Sequence, residues 1–416
     1  MSLGGFPLWT MFPFPALILA MALVPALAPR AWERRDVQAL AVGVSALPVL
    51  GFLAATSRFH DLADATASFL SFVVTLGALY VTAGGVRVAG DLEGAPSTNV
   101  AIMLLGALLA NVIGTTGASM LLIRPFLRAN QDRENRAHLV PFFILVVANA
   151  GGLLTPLGDP PLLVGFFGGV PFFWTLRLLP AWLLYVGSIV SIFALVDRRA
   201  HAREAPPVRA HARPAGSLAL EGRRNAVLML AIAPVALLPF GVREVVMVAI
   251  AVVSLAATPR GLRANNEFSF GPVVEITLIF GGLFAALVPI QAALTASAAS
   301  LPVQKGWHIF WASGLLSAVL DSAPTYKAFA ALARGLSTGP GLVAGMAPCK
   351  LAGLSIGTVV LGATTYIGNA PNLMIKSMAE GARFRMPSFA RFALFAFAVM
   401  LPAHLTTSFV LAWLER

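Results

Sequence analysis

The chain has 416 residues, of which 58% are hydrophobic and only 11% charged, with a formal net charge of +11 at neutral pH. A water-soluble domain of this length could not cover its surface with so few charges, so its solvent is mostly lipid. The single cysteine, Cys349, excludes an intramolecular disulfide, and no Cys/His cluster points to a metal centre.

Apolar runs long enough to cross a bilayer as helices recur from Phe12 to Trp413. The first, at 12–29, contains Ala26-Leu27-Ala28, which mimics a signal-peptide cleavage site. No Lys or Arg precedes it and Pro29 follows the cut, so a retained helix is expected. Further spans are predicted at 37–56, 66–86, 139–168 and 173–196, then at 225–240, 244–257, 271–292, 342–378 and 388–413. Between the two sets lies 197–224, with seven arginines against three acids and with Pro206, Pro207 and Pro214. Such a basic, irregular stretch reads as a cytoplasmic linker rather than a nucleic-acid site. It fixes the orientation of a multi-pass protein of a bacterial-type inner membrane with both termini outside. Trp9, Trp174, Trp182, Trp307 and Trp413 fit an interfacial aromatic belt.

Two apolar stretches do not fit as spans. Residues 97–128 are interrupted at Asn111 to Thr116, and the charge pattern requires both flanks inside. Each arm, about 14 residues or about 21 Å of helix, is too short to cross comfortably. A re-entrant hairpin is therefore predicted at 97–128, and a second at 306–336, entering from the opposite face and broken at Asp321 to Thr325.

Sliding the chain on itself by 210 residues brings Thr115 onto Thr325, Arg124 onto Arg334, Thr155 onto Thr365, Gly158 onto Gly368 and Pro161 onto Pro371. One ungapped offset thus aligns both hairpins and a motif some way beyond each. The expected fold is an all-α polytopic membrane protein made of two repeats, 1–196 and 225–416, each with five crossings and one hairpin. Five is odd, so the second repeat is inverted relative to the first, an arrangement that places a carrier's site at the repeat interface.

The spans at 139–168 and 342–378 each hold a run that cannot be regular helix. The first reads Asn149-Ala-Gly151-Gly152-Leu-Leu-Thr155-Pro156-Leu-Gly158-Asp159-Pro160-Pro161 and the second Gly362-Ala-Thr364-Thr365-Tyr-Ile-Gly368-Asn369-Ala-Pro371-Asn372. Proline removes a donor and crowds the preceding turn, so both helices are expected to be broken. Irregular backbone in lipid survives only where it lines a cavity or is buried in protein. Asp159, at mid-bilayer, carries a cost of roughly 2.5–3.5 kcal/mol, which marks it and Asp321 as candidate cation ligands or proton carriers.

The offset exchanges carboxylate and amide, pairing Asp159 with Asn369 and Asn111 with Asp321. If hairpin tip and broken helix meet within each half, two clusters form: Asn111, Thr115, Thr155 and Asp159, then Asp321, Thr325, Thr365 and Asn369. Asn149, Gly158, Gly368 and Asn372 would support them. Such oxygen-rich sites suit a hard monovalent cation, with Asp159 and Asp321 as Na⁺ candidates, and Na⁺ and H⁺ competing for one carboxylate is the simplest form of antiport. Glu275 and Lys327, inside apolar spans, could pair internally or tune the site.

The run Asn149 to Pro161, together with Asp321 to Thr325 and Thr365 to Asn372, closely resembles the signatures of the ion transporter superfamily, which includes sodium/proton antiporters, arsenite permeases and citrate and dicarboxylate carriers. The likeness covers nearly the whole chain and implies a homodimer whose hairpins and broken helices move as an elevator against a scaffold. Dicarboxylate members typically show Ser-Asn-Thr at both tips, which this chain lacks, and Asp159 and Asp321 look more like the antiporter branch. Sodium/proton antiport is thus the first expectation, with Na⁺ and H⁺ as transported ions and no cofactor. Citrate, dicarboxylate or arsenite transport is the alternative. An intramembrane aspartyl protease using Asp159 and Asp321 is disfavoured because Pro156 breaks that family's Gly-x-Gly-Asp run.

Overall fold

The computed structural model describes residues 2–32, 34–90, 92–204, 219–266 and 268–416, about three quarters of them helical. Before the linker run α1 (Pro13–Leu27), α2 (Arg35–Ala55), α3 (Phe59–Ala83), α4 (Pro96–Ala129), α5 (Leu139–Val146), α6 (Pro160–Phe167) and α7 (Leu179–Ala202). After it come α8 (Arg223–Val235), α9 (Val242–Ala257), α10 (Gly271–Ser297), α11 (Gly306–Val319), α12 (Ser322–Gly335), α13 (Pro348–Gly362), α14 (Ala370–Gly381) and α15 (Phe389–Leu414). Among the described residues six helices are long and apolar enough to cross a membrane. This is the pattern of an integral, all-α polytopic membrane protein.

α4 is not one rod. Gly114 sits at φ 77°, ψ 155°, a backbone state open to glycine and strained for other residues. Asn99 and Asn130, near the two ends, exchange side-chain hydrogen bonds of 3.0 and 2.8 Å, although 31 residues of straight helix would hold them about 46 Å apart. The helix therefore folds back on itself at Gly114. In the second half the reversal falls between α11 and α12, where Leu320 and Asp321 are extended and the Asp321 carboxylate caps α12 by accepting from the Ala323 amide at 3.1 Å. Pro324 lies in the first turn of α12, where a missing N–H costs nothing.

The helices pack in exchanged pairs. α3 packs on α9 as α10 packs on α2, and α6 packs on α12 as α14 packs on α4. The pairs α3–α10 and α7–α15 map onto themselves under the 210-residue offset. α13 lies closely along α11: a Cβ on Gly353 or Gly357 would strike the backbone of Gly306 or Phe310. Small residues permit this approach, the usual solution for helix pairs in lipid.

Some expectations need correction. The linker expected from 197 is still helix to Ala202, because Asp197 is held by Arg133 at 2.6 Å and by His138 at 2.9 Å. At its other end Ala219–Glu221 pairs as an antiparallel strand with Arg87–Ala89, and residues 205–218 lie outside the described residues. Trp174 and Trp182 do not belong to an aromatic belt. Both are buried, and the Trp182 indole donates to the Gly151 carbonyl at 2.8 Å. Glu275 and Lys327 do not pair: Glu275 accepts from Gln38 at 3.1 Å, and Lys327 lies over the Phe284 ring at 4.2 Å.

Candidate functional site

Between α5 and α6 the chain passes through a short 3-10 turn, Ala150–Leu154, and then an irregular run to Asp159. Thr155 and Asp159 are extended, at φ −137° and −143°, and Pro160 and Pro161 open α6. The second half repeats the device: α13 ends at Gly362, the chain is irregular to Asn369 at φ −149°, and Pro371 lies in the first turn of α14. Each break is cinched by a glycine pair. A Cβ on Gly158 would collide with the Gly152 carbonyl, as one on Gly368 would with that of Gly362. Gly158→Ala is expected to destabilise the protein by about 1–3 kcal/mol, the usual range for overpacking, seen as a lower melting temperature in detergent, with transport reduced in parallel.

The tip of α4 reaches the first break. The Thr115 amide donates to the Gly158 carbonyl at 2.8 Å, and its hydroxyl donates to Asp159 Oδ1, also at 2.8 Å. Asn111 Oδ1 accepts from the Leu154 amide at 2.8 Å, while its carbonyl accepts from the Thr155 hydroxyl. Asn111, Thr115, Thr155 and Asp159 are thus assembled around one irregular segment.

The second cluster does not form within its own half. Asn369 turns to the first half and donates from Nδ2 toward Asp159 Oδ1 at 3.0 Å, Asn149 Oδ1 at 3.1 Å and the Ala148 carbonyl at 3.2 Å. Asn149 in turn donates to Asn372 Oδ1 at 2.7 Å, and Asn372 donates to the Thr365 carbonyl at 2.9 Å. Thr365 bonds the Ala318 carbonyl, and Thr325 bonds the Asp321 carbonyl within the first turn of α12. The physical reason is donor supply: an amide gains more by donating to a buried carboxylate and two further acceptors than by remaining beside Asp321, which already accepts from its own helix.

Asp159 and Asp321 line the same cavity, of about 60 Å³, with Thr115, Gly158, Leu79 and Phe280. That is room for an ion and a few waters. Asp159 Oδ2 is buried without a hydrogen-bond partner among the described residues. An ionised carboxylate left half-satisfied in a dry interior is costly, which fits an oxygen reserved for a cation or proton. Among the described residues no Lys, Arg or His lines this cavity. Helix N-termini around it are also poor in free donors, because Pro160, Pro161, Pro324 and Pro371 carry no N–H. The arrangement suits a cation better than an anion.

Sequence reasoning missed a second buried polar group. Asp197, fully buried, takes Arg133 at 2.6 Å, His138 at 2.9 Å and Asn99 at 2.9 Å, and Glu204 accepts from the amides of Glu134 and Asn135. The group ties both ends of α4 to the end of α7. Its only signal in the sequence was a pair of acids at the margin of an otherwise basic stretch.

No curated protein matches the chain. Residues 4–412 match the model of a transport family, which supports a secondary transporter. The chain belongs to the family described as "Putative citrate transport".

Proposed function

We propose that the protein is a cation-coupled secondary transporter of citrate or a closely related carboxylate, with the coupling cation or proton held at Asp159. The observation that carries this reading is the half-satisfied Asp159 carboxylate, bonded through Oδ1 to Thr115 and Asn369 while Oδ2 has no described partner. The family description supports citrate as the substrate class. The exchanged helix packing and the 210-residue offset support two inverted repeats, with 97–128 and 306–336 as re-entrant hairpins and the broken helices meeting between them. On this reading the linker is cytoplasmic, both termini are outside, and a homodimer moves by an elevator-like step in an inner membrane. Asp321, on the same cavity, is the second candidate cation ligand.

Sodium/proton antiport is a second reading, favoured by one feature: among the described residues the cavity lined by both carboxylates carries no basic side chain. Proteoliposomes separate the two. Labelled citrate should exchange in counterflow and accumulate under an imposed Na⁺ or H⁺ gradient. Proton movement driven by a Na⁺ pulse without any citrate requirement would assign antiport instead. Absence of both responses would overturn the cation-coupled account.

A further inference from the structure

α3 and α10, which line the Asp159–Asp321 cavity, also line a second, wider cavity of about 950 Å³, which is within the size range of small-molecule sites. Phe72 and Phe280 line the first cavity, and Phe284 lies under Lys327 of the second. Phe72 stacks on Phe280 with centroids 4.9 Å apart and packs against Phe284 at 5.7 Å.

Into the wider cavity α12 projects two cations, Lys327 and Arg334, seven residues apart on one helix face and so about 10.5 Å apart along the axis. Among the described residues neither has an acid within ion-pair distance. Asp61, Asp64 and Arg243 line the same cavity, and each has its own partner: Asp61 pairs with Arg58 at 3.6 Å, Asp64 with His60 at 3.1 Å, and Arg243 with Glu244 at 2.7 Å. Lys327 Nζ makes no described hydrogen bond and rests over Phe284. Arg334 commits Nε to the Ala344 carbonyl and one amino group to the Gly168 carbonyl, leaving Nη1 without a described partner. Two positive charges without a direct ion pair, on a low-dielectric wall, form a focused anion site, and a lysine placed there without a purpose would be expensive.

We propose that this vestibule is the carboxylate site of the carrier: Lys327 and the unused edge of Arg334 each hold one carboxylate of a di- or tricarboxylate, and Gln291 and Ser68 line the same space. The inference deepens the proposed function and rests on it. It removes a difficulty in that reading, because the 60 Å³ cavity is too small for citrate and bears only acidic charge. It also gives coupling a physical path. Asp321 caps the helix on which Lys327 sits six residues later, so cation and anion act on one rigid element.

The test is equilibrium binding of labelled citrate to the solubilised full-length protein, with unlabelled succinate, malate and inorganic phosphate as competitors. Lys327→Met, which loses the charge but keeps the length, should weaken citrate binding by at least about tenfold, the scale of a lost charge-assisted hydrogen bond. Lys327→Arg should bind within a few-fold of wild type. If Lys327→Met aggregates, Lys327→Gln carries the same expectation. Wild-type affinity in a charge-free variant would overturn the vestibule site while leaving citrate transport standing. A wild-type protein that binds citrate and phosphate equally would overturn its carboxylate selectivity. Failure of the wild type to bind citrate, succinate or malate would sink the proposed substrate class and the site together.

Discussion

Asp159→Asn is expected to abolish coupled transport in a protein that still inserts and folds. The asparagine oxygen can take the place of Oδ1 and accept from Thr115 and Asn369, so the contacts that hold the break to the tip of α4 survive. What disappears is the charge and the free acceptor, since an amide group would occupy the position of the unpartnered Oδ2. Losing one member of a buried charged contact costs about 2–5 kcal/mol. This corresponds to at least roughly a thirtyfold loss of cation affinity. Initial rates of gradient-driven uptake in proteoliposomes, set beside melting curves in detergent, check it: rates fall to background while the melting temperature stays near wild type. Asp321→Asn should behave alike, because asparagine is also a good helix cap and preserves the bond to the Ala323 amide.

Asp197→Ala acts on stability rather than on coupling. The carboxylate is fully buried and Arg133 is 4% exposed, and their 2.6 Å contact is shared with His138 and Asn99. Removing the acid takes away the short 2.6 Å partner of a buried guanidinium and leaves it only the longer 3.8 Å contact to Glu204, a change that costs about 3–5 kcal/mol. The same change frees Asn99 from one acceptor and loosens the base where the two ends of α4 are tied to α7. Intrinsic tryptophan fluorescence during heating should show a markedly lower transition. Asp197→Asn, which keeps hydrogen-bonding capacity, should lose less. An unchanged melting curve for Asp197→Ala would show that the network contributes nothing measurable.

What the sequence reveals follows from how local each cause is. Pro156, Gly158, Pro160 and Pro161 interrupt a helix wherever they occur, and α5 and α6 are separated there. Gly114 could be read as a break, although not as the residue that takes the left-handed backbone turn. Apolar length places α9 well, at Val242–Ala257 against an expected 244–257, but α8 ends at Val235 rather than 240, with Pro234 in its last turn, and α3 begins at Phe59 rather than 66.

Features that depend on distant partners were not legible. Asn369 was placed beside Asp321 because both lie in one half, yet its donors serve Asp159 across the interface. The choice depends on which acceptor remains unsatisfied in three dimensions, and spacing does not report that. Asp197 and Glu204 looked like two acids diluting a basic linker, since nothing near them in the chain names Arg133 as a partner. Trp182 has the composition of an interfacial residue, but its indole is needed at the Gly151 carbonyl exposed by the break.

The contact between Asp159 and Asn369 joins the two halves at 3.0 Å, and an exchange of the two side chains tests it most directly. In proteoliposomes, uptake should be lost in Asp159→Asn alone and recovered in part when Asn369→Asp is added, because the carboxylate returns to the same cavity from the opposite broken helix. A double variant as inactive as Asp159→Asn, in a protein that melts like the wild type, would contradict a cation site shared between the halves.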